Sequence, residues 1–170
     1  MSIPTLQIDV QPNEPETPES VPNDQNFDRT DALNVLLVIG DLGFGGAERQ
    51  VLMPANGWAR LGHNVHIAIF SNFAPLASAL IEPSRLHLLP GRSPWALFRL
   101  ARRLHTQVLH GFLIDAEILC CLAVRLLPRA VAIGSERSSR HDYAWWQDFL
   151  YRSCTTNMKA CIANSDEGLR

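Results

Sequence analysis

The feature that most constrains this chain is a run of five apolar residues at positions 35–39 (VLLVI), which ends at Gly40. Three of the five are β-branched, and no polar side chain interrupts the run. A strand with one face in water alternates apolar and polar residues, whereas a continuous run is typical of a strand buried on both faces of a parallel sheet. The run therefore predicts an α/β protein whose sheet has helices on both faces.

Strand and helix patterns alternate along the rest of the chain. Apolar runs predict strands at about 35–39, 65–70, 86–89, 107–110, 130–133 and 160–163. Amphipathic patterns predict helices at about 47–61, 75–81, 94–104, 114–127 and 141–154. Ser93 and Pro94 are typical of an N-cap and a first helical residue. Six such alternations predict a doubly wound, mostly parallel, Rossmann-like sheet of about six strands.

Residues 1–33 differ in composition from the rest of the chain. They hold five of the 11 prolines, no glycine, and seven acidic residues against one arginine. The remaining residues carry ten acids and fourteen bases. A segment like 1–33 buries too little apolar surface to offset the entropy of ordering it. We therefore expect a disordered acidic leader at 1–33, followed by one domain at 34–170.

Charge and residue patterns exclude several classes of protein. A net charge of −2 does not fit a dedicated nucleic-acid binder. The apolar run at 118–124 is shorter than a membrane span, and residues 1–10 lack a secretory signal pattern. The four cysteines form no CxxC pair, so they predict buried reduced thiols rather than a metal site. We expect a cytoplasmic protein without a metal or a nucleic-acid partner.

The loop after the first strand is the first candidate site. In an open parallel sheet, ligands bind beyond the carboxyl ends of the strands, where the strand order reverses. The glycines at 40–46 allow positive φ and close approach of a ligand, and a helix start offers amides to an anion. Glu48 stands where a GxGxxG motif needs its third glycine, and Gly46 where a P-loop needs lysine. Nicotinamide and ATP sites are disfavoured, while a simple tight turn stays open.

Four segments, in this order, resemble the amino-terminal domain of family 4 glycosyltransferases of the GT-B fold. They are 43–49 (GFGGAER) with the helix that ends at 59–65 (ARLGHNV), 107–111 (QVLHG), 133–138 (IGSERS) and 161–167 (CIANSDE). The resemblance spans about residues 34–170. It implies one half of an enzyme in which two Rossmann-like domains face each other across a cleft.

The resemblance also implies the substrates and the residues that contact them. The enzyme would move a sugar from a nucleotide-sugar donor to a glycan or lipid-linked acceptor, with retention of configuration and without a metal or other cofactor. Gly43, Gly45 and Gly46 would lie near the donor diphosphate, with Glu48 at the start of the helix behind them. Glu136 and Arg137 would contact the acceptor or a phosphate, against the alternative of a surface ion pair.

Two departures from the family pattern concern catalysis. Many members carry a sugar-contacting histidine where this chain has Phe112, and His110 stands two residues earlier. His110 is a candidate general base, or a structural histidine of a buried strand. The family's donor domain, with its two glutamates eight residues apart, does not appear in the sequence. We therefore expect a chain that is truncated before its donor-binding domain.

Other interpretations stay open. A non-catalytic binding module with a Rossmann-like fold would show the same alternation of strands and helices. A flavodoxin-like or receiver-like domain is disfavoured, because Asp41 lacks the acidic neighbours that a receiver's metal site needs. Arginines 99, 102 and 103 share a helix with Trp95, Phe98 and Leu104. This pattern is compatible with peripheral contact with anionic lipid at the inner membrane face, or with a packed helix that has a solvated basic edge.

Overall fold

The computed structural model describes residues 32–136 and 156–163. Its strands are β1 (Asn34–Ile39), β2 (Asn64–Ile69), β3 (Leu86–Leu88), β4 (Val108–Phe112), β5 (Val131–Glu136) and β6 (Met158–Ala163). Its helices are α1 (Gly46–Arg60), α2 (Pro94–Arg103) and α3 (Ile114–Val124), with 3-10 turns at Pro75–Ala79 and Pro83–Arg85. The leader up to residue 31, the helix expected at 141–154, Cys154 and Arg137 lie outside the described residues.

The described strands form one six-stranded sheet in the order β3-β2-β1-β4-β5-β6. All five pairings between neighbours are parallel. This order is the one found in doubly wound dinucleotide-binding sheets, and it reverses direction between β1 and β4. The predicted α/β fold with a parallel, Rossmann-like sheet is confirmed.

Strand β1 lies at the centre of the sheet, and residues 35–39 are all buried. On one face, Leu37 and Ile39 pack with Val51 and Ala55 of α1. On the other face, Leu36 and Val38 pack with side chains of α2 and α3. Helices therefore cover both faces of the central strands, as the continuous apolar run predicts.

Helix boundaries follow the local signals in most places. Ser93 caps α2, and its Oγ accepts a hydrogen bond from the Ala96 N–H at 3.3 Å. Helix α1 passes through Pro54 and ends at Arg60, two residues before Gly62, whose φ of +90° favours glycine. The helix expected at 75–81 is only a 3-10 turn, because Leu80 leaves it to enter the core. None of the described helices is long and apolar enough to cross a membrane.

The junction between β4 and α3 is unusually close. A Cβ atom on Gly111 would lie 2.7 Å from Cα of Glu117 and 2.8 Å from its backbone N. Leu113, which links the two elements, has φ +70° and ψ 154°. This backbone conformation is almost confined to glycine, so packing around the junction must maintain it. Helix α3 therefore begins directly against the end of β4.

We predict that Gly111→Ala destabilises the protein. Its added methyl would press on the backbone of α3, which cannot move as a flexible side chain can, so we expect a loss of about 1–3 kcal/mol. Gly57→Ala is the matched control, because nothing lies within 4 Å of a Cβ added there. Within α1 this change should stabilise by about 0.5–1 kcal/mol. Urea unfolding of both variants measures the difference, and equal effects would contradict the close approach.

Candidate functional site

The candidate site lies at the carboxyl ends of β1 and β4. Helix α1 follows β1 onto one face of the sheet, and α3 follows β4 onto the other. The two connections therefore diverge and leave a crevice between them, which is where ligands bind in sheets of this order. The loop at 40–45 and the strained Leu113 both border this crevice.

The glycine loop is held in place from two sides. The Asp41 carboxylate accepts a hydrogen bond from the Gly43 N–H at 2.8 Å. Leu42 is fully buried, its N–H donates to the Phe73 carbonyl at 3.1 Å, and its own carbonyl accepts from the Leu76 N–H at 3.1 Å. The loop is thus tied to the segment that follows β2. A loop fixed in this way can present backbone groups in a defined direction.

Gly43 and Gly45 provide room for neighbouring side chains rather than unusual backbone angles. Gly45 has φ −75° and ψ 176°, which any N-cap residue can adopt. Among the described glycines, positive φ occurs at Gly62 and Gly91, so the glycines of this loop do not adopt the positive φ that they allow. A Cβ on Gly43 would lie 3.1 Å from the Phe73 ring, and one on Gly45 would meet the Glu48 carboxylate. Side chains of the protein itself therefore occupy the space beside Gly43 and Gly45, whereas the space beside Gly46 is open.

Helix α1 begins with amides that face the crevice end of the sheet. The first N–H groups of a helix have no intrahelical acceptor, and Gly45 supplies no side-chain cap. Nothing lies within 4 Å of a Cβ placed on Gly46. Together with the helix dipole, this open helix start can receive an anion. The Glu48 carboxylate lies over Gly45 and would have to turn away from a bound phosphate.

His110 lies inside β4, two residues before the end of the strand, and is only 3% exposed. Its Nε2 and the Ser135 Oγ are hydrogen-bonded at 2.7 Å. The ring stacks on Phe112, with centroids 4.3 Å apart, and faces Trp58 at 6.2 Å. All four side chains line a cavity of about 310 Å³ between α1 and the sheet. The imidazole is thus fixed in the wall of this cavity, on the α1 face.

Glu117 is a buried polar residue that sequence reasoning missed. It is 1% exposed, and its Oε1 accepts a hydrogen bond from the Ser135 N–H at 2.7 Å. Ser135 in turn contacts His110, so one serine links α3 to the imidazole on the opposite face of the sheet. The only sequence signal is a lone glutamate in the otherwise apolar stretch at 116–124. The arrangement fixes the position of β5 and of the His110 ring.

The remaining predicted residues are less informative. Glu136 is the last residue of β5, so it lies at the carboxyl ends of the strands, as the crevice does. Arg137 lies outside the described residues. Buried thiols are confirmed at Cys120 and Cys121, and burial raises the pKa of Cys120 well above its usual value. The same expectation is wrong for Cys161, which is exposed. Within 32–136 and 156–163, no group of three metal-ligating side chains converges.

Comparison with known proteins identifies one family. The family model described as Glycosyltransferase Family 4 matches residues 44–169. The match begins in the glycine loop and includes α1, the crevice strand β4 and the edge strand β6. A comparison with curated proteins gives no match.

Proposed function

This chain belongs to Glycosyltransferase Family 4, and on that premise we propose that residues 34–170 form the acceptor-side domain of a GT-B enzyme. The enzyme transfers a sugar from a nucleotide-sugar to a glycan or lipid-linked acceptor, with retention and without a metal. The second wall of its cleft comes from a donor-binding domain, which is absent from the part of the chain that the structure describes. Membership of the family itself implies a sugar donor and an acceptor as substrates.

The observation that carries this proposal is the open start of α1 at the point where the sheet order reverses. A donor diphosphate at Gly46 accepts hydrogen bonds from the first-turn amides and lies at the positive end of the helix dipole. When the sugar leaves, negative charge grows on that diphosphate, and fixed donors stabilise it without reorganising. In this proposal Gly43 and Gly45 lie near the diphosphate, and the open space at Gly46 lets the ligand approach the backbone.

Exposed aromatic rings beside the loop suit an acceptor. Phe44 is 68% exposed, and Phe73 is 55% exposed and packs close to Gly43. Flat apolar rings of this kind can cover the C–H face of a sugar or part of a lipid chain. His110 is buried and hydrogen-bonded, so of its two predicted roles the geometry favours the structural one. Glu136 stays a proposed acceptor contact at the end of β5.

We predict that the 170-residue chain does not transfer sugar when it is assayed alone with a panel of nucleotide-sugars and acceptors. Contacts at the start of α1 then face water, where an ionic contact is worth a small fraction of its value in a closed cleft. Joining a family 4 donor-binding domain after Arg170 should restore turnover, with that donor domain alone as the control. Turnover by the chain alone would place a donor site within 34–170. No turnover in the joined protein, despite acceptor binding, would favour a non-catalytic binding module.

A second prediction isolates the Gly46 amide. Gly46→Pro deletes this N–H, yet proline is well tolerated at the first position of a helix. Gly46→Ala is the matched control, since it keeps the N–H and its Cβ meets nothing within 4 Å. With pyrophosphate as the probe, amide NMR shifts at Ala47 and Glu48 should give an affinity about tenfold weaker in the proline variant, the loss expected for one hydrogen bond to a charged group. Equal affinities would contradict diphosphate binding here.

We also propose peripheral contact with anionic lipid through α2, in a form that differs from the sequence expectation. Arg99, Arg102 and Arg103 are exposed, and Trp95 is 59% exposed. Phe98 is buried in the core and Leu104 packs against it, so neither can enter a membrane, contrary to the amphipathic pattern. The contact is therefore mainly electrostatic, with one tryptophan at the interface.

Vesicle co-sedimentation tests this contact. Binding to anionic vesicles should exceed binding to neutral ones and fall with salt. Replacing arginines 99, 102 and 103 by glutamine should lower it about a hundredfold, at about 1 kcal/mol for each arginine near the surface. Replacing arginines 60, 125 and 129 removes the same charge elsewhere and should have a smaller effect. Equal binding to neutral vesicles would rule the contact out.

A further inference from the structure

Another cavity, which has charged residues in its lining, lies away from the crevice, between the edge strand β3 and helix α2. Its volume is about 360 Å³, and its lining includes His87, Arg99 and Arg103 beside apolar residues such as Leu100. No carboxylate lines it among the residues that the structure describes. Two guanidinium groups and an imidazole thus share one open cavity, and the described part of its wall holds no acidic partner.

One of the residues that line this cavity, His87, belongs to a pair of histidines. His66 of β2 and His87 of β3 lie side by side, with Nδ1 of the first 2.9 Å from Nε2 of the second. A hydrogen bond between two imidazole nitrogens requires that one ring accept, so the pair cannot be doubly protonated while the bond persists. The pair is half-buried, and His87 is the member that lines the cavity.

The charges around the histidine pair are mostly positive. Burial lowers the pKa of His66, and His87, Arg85 and Arg103 lower it further, with Glu82 opposing them. Burial and then Arg103 lower the pKa of His87. Glu82 is engaged with Arg85, whose Nε lies 2.6 Å from its Oε2. The buried Nη1 of Arg85 has no hydrogen-bond partner within the described part of the chain. Among the described residues, Glu82 therefore offsets only part of this positive potential.

We propose that the cavity between β3 and α2 binds a phosphate group, held by Arg99, Arg103 and His87. A guanidinium group can donate two parallel hydrogen bonds to two oxygens of one phosphate. The charge of a dianion balances the charges of the two arginines that line the cavity. The open mouth leaves room for the rest of a phosphate monoester. This site is independent of the proposed diphosphate position at α1, which lies on the other face of the sheet and uses backbone amides.

Binding at this site is coupled to a proton. A dianion beside His87 favours the imidazolium form, so it raises a pKa that burial and Arg103 lower in the free protein. Anion affinity therefore rises as the pH falls through the pKa of the bound state. It levels off below the pKa of the free state, where the histidine is already protonated. Sulfate is the suitable probe, because it stays a dianion over this range whereas phosphate itself titrates.

Isothermal titration calorimetry of the full chain with sulfate tests the proposal. We expect saturable millimolar binding that Arg103→Gln weakens by about tenfold, which corresponds to about 1.4 kcal/mol. Arg102→Gln is the matched control, because Arg102 is the neighbouring exposed arginine and does not line this cavity. His87→Gln should abolish the rise in affinity between about pH 8 and about pH 5.5, the range in which histidine titrates. Circular dichroism confirms that each variant is folded.

Three results would overturn the site. A titration in which sulfate binding does not saturate would show that the cavity does not bind anions. Equal losses in Arg102→Gln and Arg103→Gln show that only the overall charge of α2 matters. Binding to vesicles with a phosphate-monoester headgroup, but to neither soluble sulfate nor a soluble phosphate monoester, assigns these arginines to a lipid surface instead. Soluble binding that depends on Arg103 and His87, and not on Arg102, supports the cavity whether its natural phosphate is free or part of a lipid.

Discussion

Everything else in the domain is arranged around strand β1, which is buried on both faces and hydrogen-bonded along both edges. Its neighbours β2 and β4 pair with it in parallel, so the chain must leave it over one face and return beside it from the other. This requirement separates the loops after β1 and β4 and opens the crevice between them. The glycine loop and the strained Leu113 lie there as a consequence of topology.

Elements with local signals could be predicted, and those that depend on a partner strand could not. The burial of residues 35–39 can be predicted from their composition alone. Ser93 and Pro94 likewise mark the start of α2 without reference to any other residue. The sequence predicts that strand β5 ends near residue 133, because Gly134 and Ser135 have poor strand propensity. They continue the strand because they pair with Gly111 and Phe112. That pairing is set by the register of two distant segments.

The same division holds for the candidate site. Its position, after β1 and at the start of α1, follows from the glycine pattern and the parallel sheet. Its geometry does not, because the glycine pattern does not reveal that Gly45 has φ −75° or that the Glu48 carboxylate lies against it. The contacts from Glu117 through Ser135 to His110 span 18 and 25 residues of sequence. The β4–β5 register and the close junction between β4 and α3 jointly bring these three residues together.

The two proposed anion sites use different sources of positive charge, and this difference has consequences for how each responds to its surroundings. At the start of α1 the donors are backbone amides, which do not titrate, and the nearby Glu48 carboxylate selects for a ligand charged strongly enough to displace it. In the β3–α2 cavity the donors are side chains, and one of them shares a hydrogen bond with a second histidine. The donors at the start of α1 therefore keep the same charge when the pH changes. The proposed β3–α2 site instead gains affinity in acid, because protonation of His87 adds a positive charge beside the anion.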